Sequence, residues 1–196
     1  MPTPNRDPEH LAKLRDYYAD SHRIPSFQRI GELIGTSKPA ARKFMERLEK
    51  LGFVERTPDD DAWIPARRFF EHVLTEDTVH AGMPTMARDV GSTPFYFDEY
   101  MVREPSRTVL IPVRGDSMTD AHIDDGDLAV VERGSEASVG NFVVAIVDGN
   151  YTLKELVLEQ GRFALKAHNP SYPLIVPEAE LEIFGIMVGL VRRFQS

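Results

Sequence analysis

Apolar residues recur at helical spacing in three segments near the N-terminus, and each segment has one apolar face. These positions are Leu11, Leu14 and Tyr18 in the first segment, Ile30, Leu33 and Ile34 in the second, and Ala40, Phe44, Leu48 and Leu51 in the third. Polar residues fill the positions between them. The spacing therefore predicts three short amphipathic helices.

Each predicted helix begins at a residue that can cap its first turn. Asp7 precedes Pro8, which suits the first helical position because that position needs no N–H donor. Ser26 and Ser37 precede the second and third helices in the same way, and Gly52 ends the third.

Two short β-prone stretches follow the third helix. They are residues 53–56 and 62–64, and the Thr-Pro-Asp-Asp-Asp sequence at 57–61 predicts a turn between them. A helix, a helix-turn-helix and a hairpin in this order predict a winged helix-turn-helix over residues 1–68.

One face of the third helix is predicted to contact DNA, because basic side chains suited to phosphates and guanine edges lie opposite its apolar face. The candidate contacts are Ser37, Lys38, Ala40, Ala41, Arg42, Lys43 and Arg47. The same face could instead be the solvated side of an ordinary three-helix bundle. Residues 1–68 carry 13 Lys and Arg against 11 Asp and Glu, whereas the remaining residues carry 10 against 20. This charge asymmetry modestly favours a DNA-contacting N-terminal domain followed by an acidic C-terminal part.

Beyond residue 107 the pattern changes to short strands rich in Val, Ile and Leu. They cover residues 108–113, 128–132, 141–147, 151–158, 163–166 and 183–192. Asp148-Gly149 and Gln160-Gly161 are typical of tight hairpin turns between neighbouring strands. The sequence thus predicts an α+β protein with a winged helix-turn-helix domain at 1–68, a linker at 69–80 and a β-rich domain at 81–196.

The β-rich part carries two motifs with catalytic potential. Residues 113–118, Val-Arg-Gly-Asp-Ser-Met, place Ser117 at a glycine-containing turn, and residues 151–156, Tyr-Thr-Leu-Lys-Glu-Leu, place Lys154 in a largely apolar strand. A serine becomes a strong nucleophile when a base accepts its proton, and a lysine can be that base when burial lowers its pKa. Taken separately, the motifs are more typical of a plain turn and a strand-edge lysine.

Together these motifs resemble the self-cleaving Ser-Lys domain of LexA-type repressors, which UmuD-like proteins and some phage repressors share. The resemblance rests on Gly-Asp-Ser-Met at 115–118, Asp-Gly-Asp at 125–127, the Asp148-Gly149 turn and Thr-x-Lys-x-Leu at 152–156. Ala81-Gly82 matches the family's cleavage site. Residues 1–68 are similar to the family's DNA-binding domain, including Ile-Pro-Ser at 24–26.

The resemblance implies a cytoplasmic repressor of DNA-damage (SOS) response genes that binds double-stranded operator DNA as a homodimer. It also implies a serine endopeptidase that acts on its own chain. Ser117 would be the nucleophile and Lys154 the base, and a RecA filament on single-stranded DNA would stimulate cleavage between Ala81 and Gly82.

Two departures from the family limit what is carried over. The recognition helix starts Ser-Lys-Pro-Ala-Ala-Arg-Lys at 37–43, where the best-known member has Ser-Pro-Asn-Ala-Ala-Glu-Glu, so the usual operator sequence is not assigned. The predicted wing is acidic at Asp59, Asp60 and Asp61, and phosphates would repel it at close range.

Composition narrows the remaining possibilities. The chain has no cysteine, and its six histidines lack metal-ligand spacing, so neither a metal nor a cofactor is predicted. No apolar run reaches the roughly 18 residues of a membrane helix, so no membrane partner is predicted. The alternative is a repressor controlled by a ligand or an antirepressor protein without proteolysis. The helix-turn-helix disfavours a third reading, a UmuD-like polymerase accessory.

The last predicted strand, residues 183–192, is apolar on both faces. Such a terminal strand is a pairing hazard unless another surface covers it. We therefore expect a two-fold partner to cover it in a homodimer.

Overall fold

The computed structural model describes residues 5–76, 91–147, 149–177 and 181–194. The chain forms two compact units, Met1–Phe97 and Asp98–Ser196. The division falls later than the predicted domain boundary near residue 81. The predicted limits, 1–68, 69–80 and 81–196, stay a prediction.

Three helices open the first unit, in the predicted order: α1 (Asp7–Ser21), α2 (Phe27–Ile34) and α3 (Lys38–Lys50). The Ser26 and Ser37 side chains cap α2 and α3, as predicted, by accepting from the N–H groups of the third residue on. The predicted cap of α1 is wrong. Asp7 is already helical, and both its carboxylate oxygens accept from Arg47 at 2.7 Å, so they are not available to the helix N–H groups.

The buried face of α3 differs from the prediction. Ala41 and Met45 are fully buried with Phe44 and Leu48, whereas Leu51 is 49% exposed and Ala40 is only partly buried. The apolar residues of this helix can be grouped at spacings of three and four into more than one face, so the sequence alone does not decide which face is buried. Packing against α1 and α2 selects the face, and the core that results also holds Leu14 and Ile30.

Gly31 sets the tight turn between α2 and α3. A Cβ atom at this position would lie 2.7 Å from the carbonyl oxygen of Thr36, whose own N–H donates to the Gly31 carbonyl at 2.7 Å. Backbone atoms cannot give way as a flexible side chain can, so only glycine fits here.

A two-stranded antiparallel hairpin of β1 (Val54–Arg56) and β2 (Trp63–Pro65) follows α3, as predicted. Its acidic tip is held by its own side chains, because Asp61 pairs with Arg56 and Asp60 accepts from Thr57 and from the Ala62 N–H. Part of the tip's negative charge is thus compensated inside the hairpin.

The first unit also contains a 3-10 helix (Arg67–Phe70) and a second two-stranded antiparallel sheet. This sheet pairs β3 (His72–Thr75) with β4 (Ser92–Phe95). The sequence did not predict these strands. The two apolar residues of β3, Val73 and Leu74, are adjacent, so the strand shows no alternation of apolar and polar positions, and all four of its residues are exposed.

The short helix α4 (Phe97–Met101) begins at the last residue of the first unit. The second unit is dominated by one antiparallel sheet. Its strands are β5 (Thr108–Pro112), β6 (Leu128–Arg133), β7 (Phe142–Val147), β8 (Asn150–Glu159), β9 (Arg162–Lys166) and β10 (Glu182–Val191). Their order across the sheet is β5-β6-β10-β7-β8-β9. All six correspond to predicted strands.

The last strand is central in this sheet. β10 pairs with β6 along one edge and with β7 along the other. Both of its edges are therefore paired, and the expected hazard of an unpaired terminal strand is wrong. Its faces stay partly exposed, with Val188 53% exposed, so the covering of these faces by a two-fold partner stays a prediction. In the described parts of the chain, no helix is long and apolar enough to cross a membrane.

Candidate Ser-Lys active site

Ser117 lies in the loop that leaves β5. Gly115 adopts a left-handed conformation with φ of 88°, and its N–H donates to the Asp125 carboxylate at 2.8 Å. Val113 and the Asp-Gly-Asp turn exchange two backbone hydrogen bonds at 2.8 and 3.1 Å. The turn therefore braces the loop that presents Ser117.

An ion pair between a buried carboxylate and an arginine holds this Asp-Gly-Asp turn in place. Asp127 is 2% exposed, and Arg192 reaches both of its carboxylate oxygens at 2.6 Å. The hydrogen bonds from Arg192 hold the pKa of Asp127 below its ordinary value. Sequence reasoning treated residues 125–127 as a turn alone. Arg192 follows directly after β10 and far along the chain, so no local pattern pointed to this pair.

Lys154 lies on β8 and is only 6% exposed. Its Nζ donates to Ser117 Oγ at 2.8 Å and to the Leu153 carbonyl oxygen at 2.9 Å. Burial lowers the pKa of the Lys154 ammonium, because a charged group is less stable away from water. The two side chains singled out from separate motifs are therefore in hydrogen-bonding contact, and the buried amine has the property that a base requires.

A cleft of about 210 Å³ opens beside this pair. Its walls come from the end of β5, the Ser117 loop, β7 and the start of β8, and include Ile111, Val113, Met118, Val144 and Leu153. The lining is mostly apolar, and the polar atoms of Ser117 and Lys154 reach into it. Its composition suits a short stretch of small or apolar residues.

The loop at residues 168–172 also contacts the Ser117 segment. The His168 N–H donates to the Ser117 carbonyl at 2.9 Å, and the Asp120 N–H donates to the His168 carbonyl at 2.8 Å. The Asn169 amide donates to the Asp116 carbonyl at 3.0 Å, and the Tyr172 hydroxyl donates to the Asp116 carboxylate. Sequence reasoning missed this loop, because it follows β9 and shares no motif with Ser117.

The predicted DNA contacts differ in their availability on α3. Lys38, Arg42 and Lys43 are exposed, and Arg42 pairs with Glu46 at 3.0 Å. Ser37 caps the helix, and Ala40 lies at its start. Ala41 is fully buried, so its side chain cannot reach DNA.

Arg47, a further predicted contact, is held by Asp7. Its guanidinium group also lies 5.9 Å from the centre of the Phe44 ring. It therefore joins α1 to α3. The predicted cleavage site, Ala81-Gly82, lies outside the described residues.

Comparison with known proteins shows sequence similarity over the β-rich part and over most of the chain. Residues 73–188 match the Peptidase S24-like family. The LexA repressor of Opitutus terrae is 45% identical over 119 residues, which is 59% of each chain. The LexA repressor of Verrucomicrobium spinosum is 31% identical over 97% of this chain and 98% of its own. LexA repressor 2 of Pseudomonas putida is 35% identical over 92% and 93%.

The β-rich unit with its serine and buried lysine thus defines a peptidase S24-like protein. The chain as a whole belongs to the LexA repressor family, as the sequence motifs indicated.

Proposed function

We propose that this protein is a transcriptional repressor of DNA-damage (SOS) response genes that binds operator DNA as a dimer. We further propose that it inactivates itself by cutting its own chain between Ala81 and Gly82, with Ser117 as nucleophile and Lys154 as base. One observation carries the self-cleavage part of the proposal: the 2.8 Å contact between Ser117 Oγ and the amine of a lysine that is 6% exposed. An ordinary surface lysine would be solvated and charged.

Lys154 carries the proton both when the acyl-enzyme forms and when water hydrolyses it. Neutral Lys154 accepts the proton of Ser117, whose oxygen attacks the carbonyl carbon of Ala81. The bond to the Gly82 nitrogen then breaks, and the lysine returns the proton to the departing amine. Water hydrolyses the acyl-enzyme with the same base. Backbone amides near Ser117, including its own, would stabilise the oxyanion.

The start of β8 offers a place for the substrate segment. β8 pairs with β9 only from Glu155 onward, and among the described residues no strand pairs with the second edge of residues 151–154. An extended peptide can add to such an edge through its backbone. It would then lie beside the apolar cleft, and the small pair Ala81-Gly82 would let its backbone approach Ser117 closely.

The first unit supports the DNA-binding half of the proposal. α2, the tight turn after Gly31, α3 and the β1–β2 hairpin follow each other in the order of a winged helix-turn-helix. In that arrangement α3 enters the major groove, and a dimer reads two half-sites. Lys38, Arg42 and Lys43 are the exposed basic residues that we assign to DNA.

The trigger that we propose is a RecA filament on single-stranded DNA, by similarity to the family. A repressor regulated by a ligand or an antirepressor without proteolysis is the competing function. The intact set of Ser117, Lys154 and Ala81-Gly82 favours self-cleavage, because a non-proteolytic sensor has no need of a buried amine at a serine hydroxyl.

Incubating the purified chain at alkaline pH and weighing the products by mass spectrometry tests the proposal. We expect two fragments, residues 1–81 and 82–196, and none from Ser117→Ala. An intact wild-type chain at alkaline pH, with or without RecA filaments, would favour the non-proteolytic alternative.

A further inference from the structure

A second side-chain pair lies beside the proposed catalytic pair. The ring Nε2 of His168 is 2.7 Å from a carboxylate oxygen of Glu155, and both side chains are largely buried. Glu155 directly follows Lys154 on β8, so the two side chains point to opposite faces of the sheet. The His168 ring also packs edge-on against Phe142, at 5.5 Å, and Phe142 is the cross-strand partner of Glu155.

The backbone of the same histidine holds the nucleophile loop. Its N–H donates to the Ser117 carbonyl at 2.9 Å, while its carbonyl accepts from the Asp120 N–H at 2.8 Å. The described residues thus provide two hydrogen-bonded routes between β8 and the Ser117 loop. One is the direct contact of Lys154 with the Ser117 hydroxyl, and the other runs from Glu155 through His168 to the Ser117 backbone.

We propose that His168 and Glu155 are positioning residues for the self-cleavage reaction, tying the Ser117 loop to the strand that carries Lys154. The inference rests on the proposed function. The positions of Ser117 and Lys154 in the fold explain why such a connection is needed. Ser117 lies in a loop after β5, at one edge of the sheet, whereas Lys154 lies on β8, four strands away in the sheet order. No shared element fixes their separation, and proton transfer is sensitive to small displacements.

Self-cleavage of the full-length chain, measured as a first-order rate across a range of pH, tests the proposal. For His168→Ala we expect the plateau rate to fall about tenfold or more, because the Ser117 loop loses its tie to β8. The midpoint of the pH profile should stay in place, since Lys154 remains buried on the other face. His168→Gln keeps a side-chain N–H donor for Glu155 and should restore the rate to within about threefold of wild type.

Lys166→Ala is the matched control. Lys166 Nζ lies 3.8 Å from the same carboxylate oxygen of Glu155 and is 55% exposed, so it shares Glu155 with His168 from a solvent-exposed position. We expect its removal to leave the rate within about twofold of wild type. If His168→Ala does not fold, as judged by thermal unfolding, Glu155→Ala and Glu155→Gln make the same comparison from the other partner.

Three results would overturn the positioning role. They are an unchanged plateau in the folded alanine variants, a displaced pH midpoint, and a folded His168→Gln that is as slow as His168→Ala. The last would assign the effect to ring packing on Phe142. A wild-type chain that never cuts itself would instead remove the underlying reaction, and this outcome is visible before any His168 variant is compared.

Discussion

At the scale of single residues, the function depends on the environment of one amine. Lys154 is buried, and its Nζ keeps only the Ser117 hydroxyl and the Leu153 carbonyl as described partners. Neither partner carries a negative charge that would stabilise the ammonium. Burial therefore dominates and lowers the pKa of Lys154.

Substitutions of Lys154 test whether its positive charge or its ability to accept a proton is required. Lys154→Arg should abolish self-cleavage as completely as Lys154→Ala, because a guanidinium stays protonated and cannot accept the serine proton. The wild-type rate should rise with pH through the lowered pKa of Lys154 and then level off, since the neutral amine is the active form. Fragment formation followed by gel densitometry measures both effects. A Lys154→Arg chain that cuts itself at a comparable rate would mean that Ser117 uses another base.

The same pKa shift predicts how stability depends on pH. The unfolded chain holds the lysine proton up to about pH 10.4, but the folded protein releases it earlier. Between the two pKa values the unfolded state binds more protons, so the free energy of unfolding rises with pH. In a Ser117→Ala background, Lys154→Met should therefore stabilise the fold most at low pH, and the gain should shrink as the pH rises.

Denaturant unfolding at several pH values measures this difference. Lys166→Met, which replaces an exposed lysine, is the control and should show no comparable trend. A stability gain from Lys154→Met that is the same at every pH would contradict the lowered pKa.

At the scale of elements, α3 carries the proposed DNA contacts, but its basic residues are not equivalent. Lys38 and Lys43 project from the exposed face, Arg42 shares its charge with Glu46, and Arg47 is bound to Asp7. Arg47 therefore contributes chiefly to holding α1 against α3. All three aspartates of the hairpin tip are exposed, but Asp60 and Asp61 also hold the turn through hydrogen bonds.

Operator binding should weaken in Arg42→Ala and Lys43→Ala. A base-reading contact is worth about 1–3 kcal/mol, and Arg42 must first leave Glu46. Asp59→Ala is a better test of the wing than a change at Asp60, whose carboxylate caps the turn, and it should bind equally or more tightly. Gel-shift titration at fixed salt measures these affinities. Unchanged binding in both basic variants would mean that α3 is not the helix in the groove.

At the scale of the whole molecule, the proposed reaction joins parts of one chain that are distant in sequence. Ala81-Gly82 precedes the nucleophile by 35 residues and the base by more. Because the substrate is part of the same molecule, its local concentration does not depend on how much protein is present.

Self-cleavage should therefore follow first-order kinetics with a rate constant independent of protein concentration. Mixing Ser117→Ala chains, which cannot cut themselves, with active wild-type chains provides the control. Ser117→Ala chains should stay intact in the mixture. Their cleavage, or a rate constant that rises with concentration, would indicate that one molecule cuts another.

Dimerisation is also a property of the whole molecule. The structure removes one argument for it, an unpaired edge on the last strand. β10 is paired on both edges, so a dimer does not need to cover an edge, but its apolar faces stay partly exposed. Reading two half-sites also requires two copies. Full-length Ser117→Ala should sediment at twice the chain mass at micromolar concentration. Sedimentation as a monomer under those conditions would contradict the dimeric operator complex.

The sequence by itself determined the features that depend on local chemistry. Serine caps, the apolar spacing of three helices, and the Val- and Ile-rich strands of the large sheet act over a few residues, and the structure has each of them. Ser117 and Lys154 were recognised for a related reason, because each occupies a short motif whose order and spacing are typical of one family.

Only the tertiary structure decided which distant groups meet. The buried face of α3, the Asp7–Arg47 pair, the Asp127–Arg192 pair and the His168 loop join residues that are far apart in sequence. The central place of β10 is of the same kind, since strand order in an antiparallel sheet is not written in the pattern of any one strand. Local propensity defines the elements, but the lowest free energy of packing and of buried charge pairing selects their neighbours.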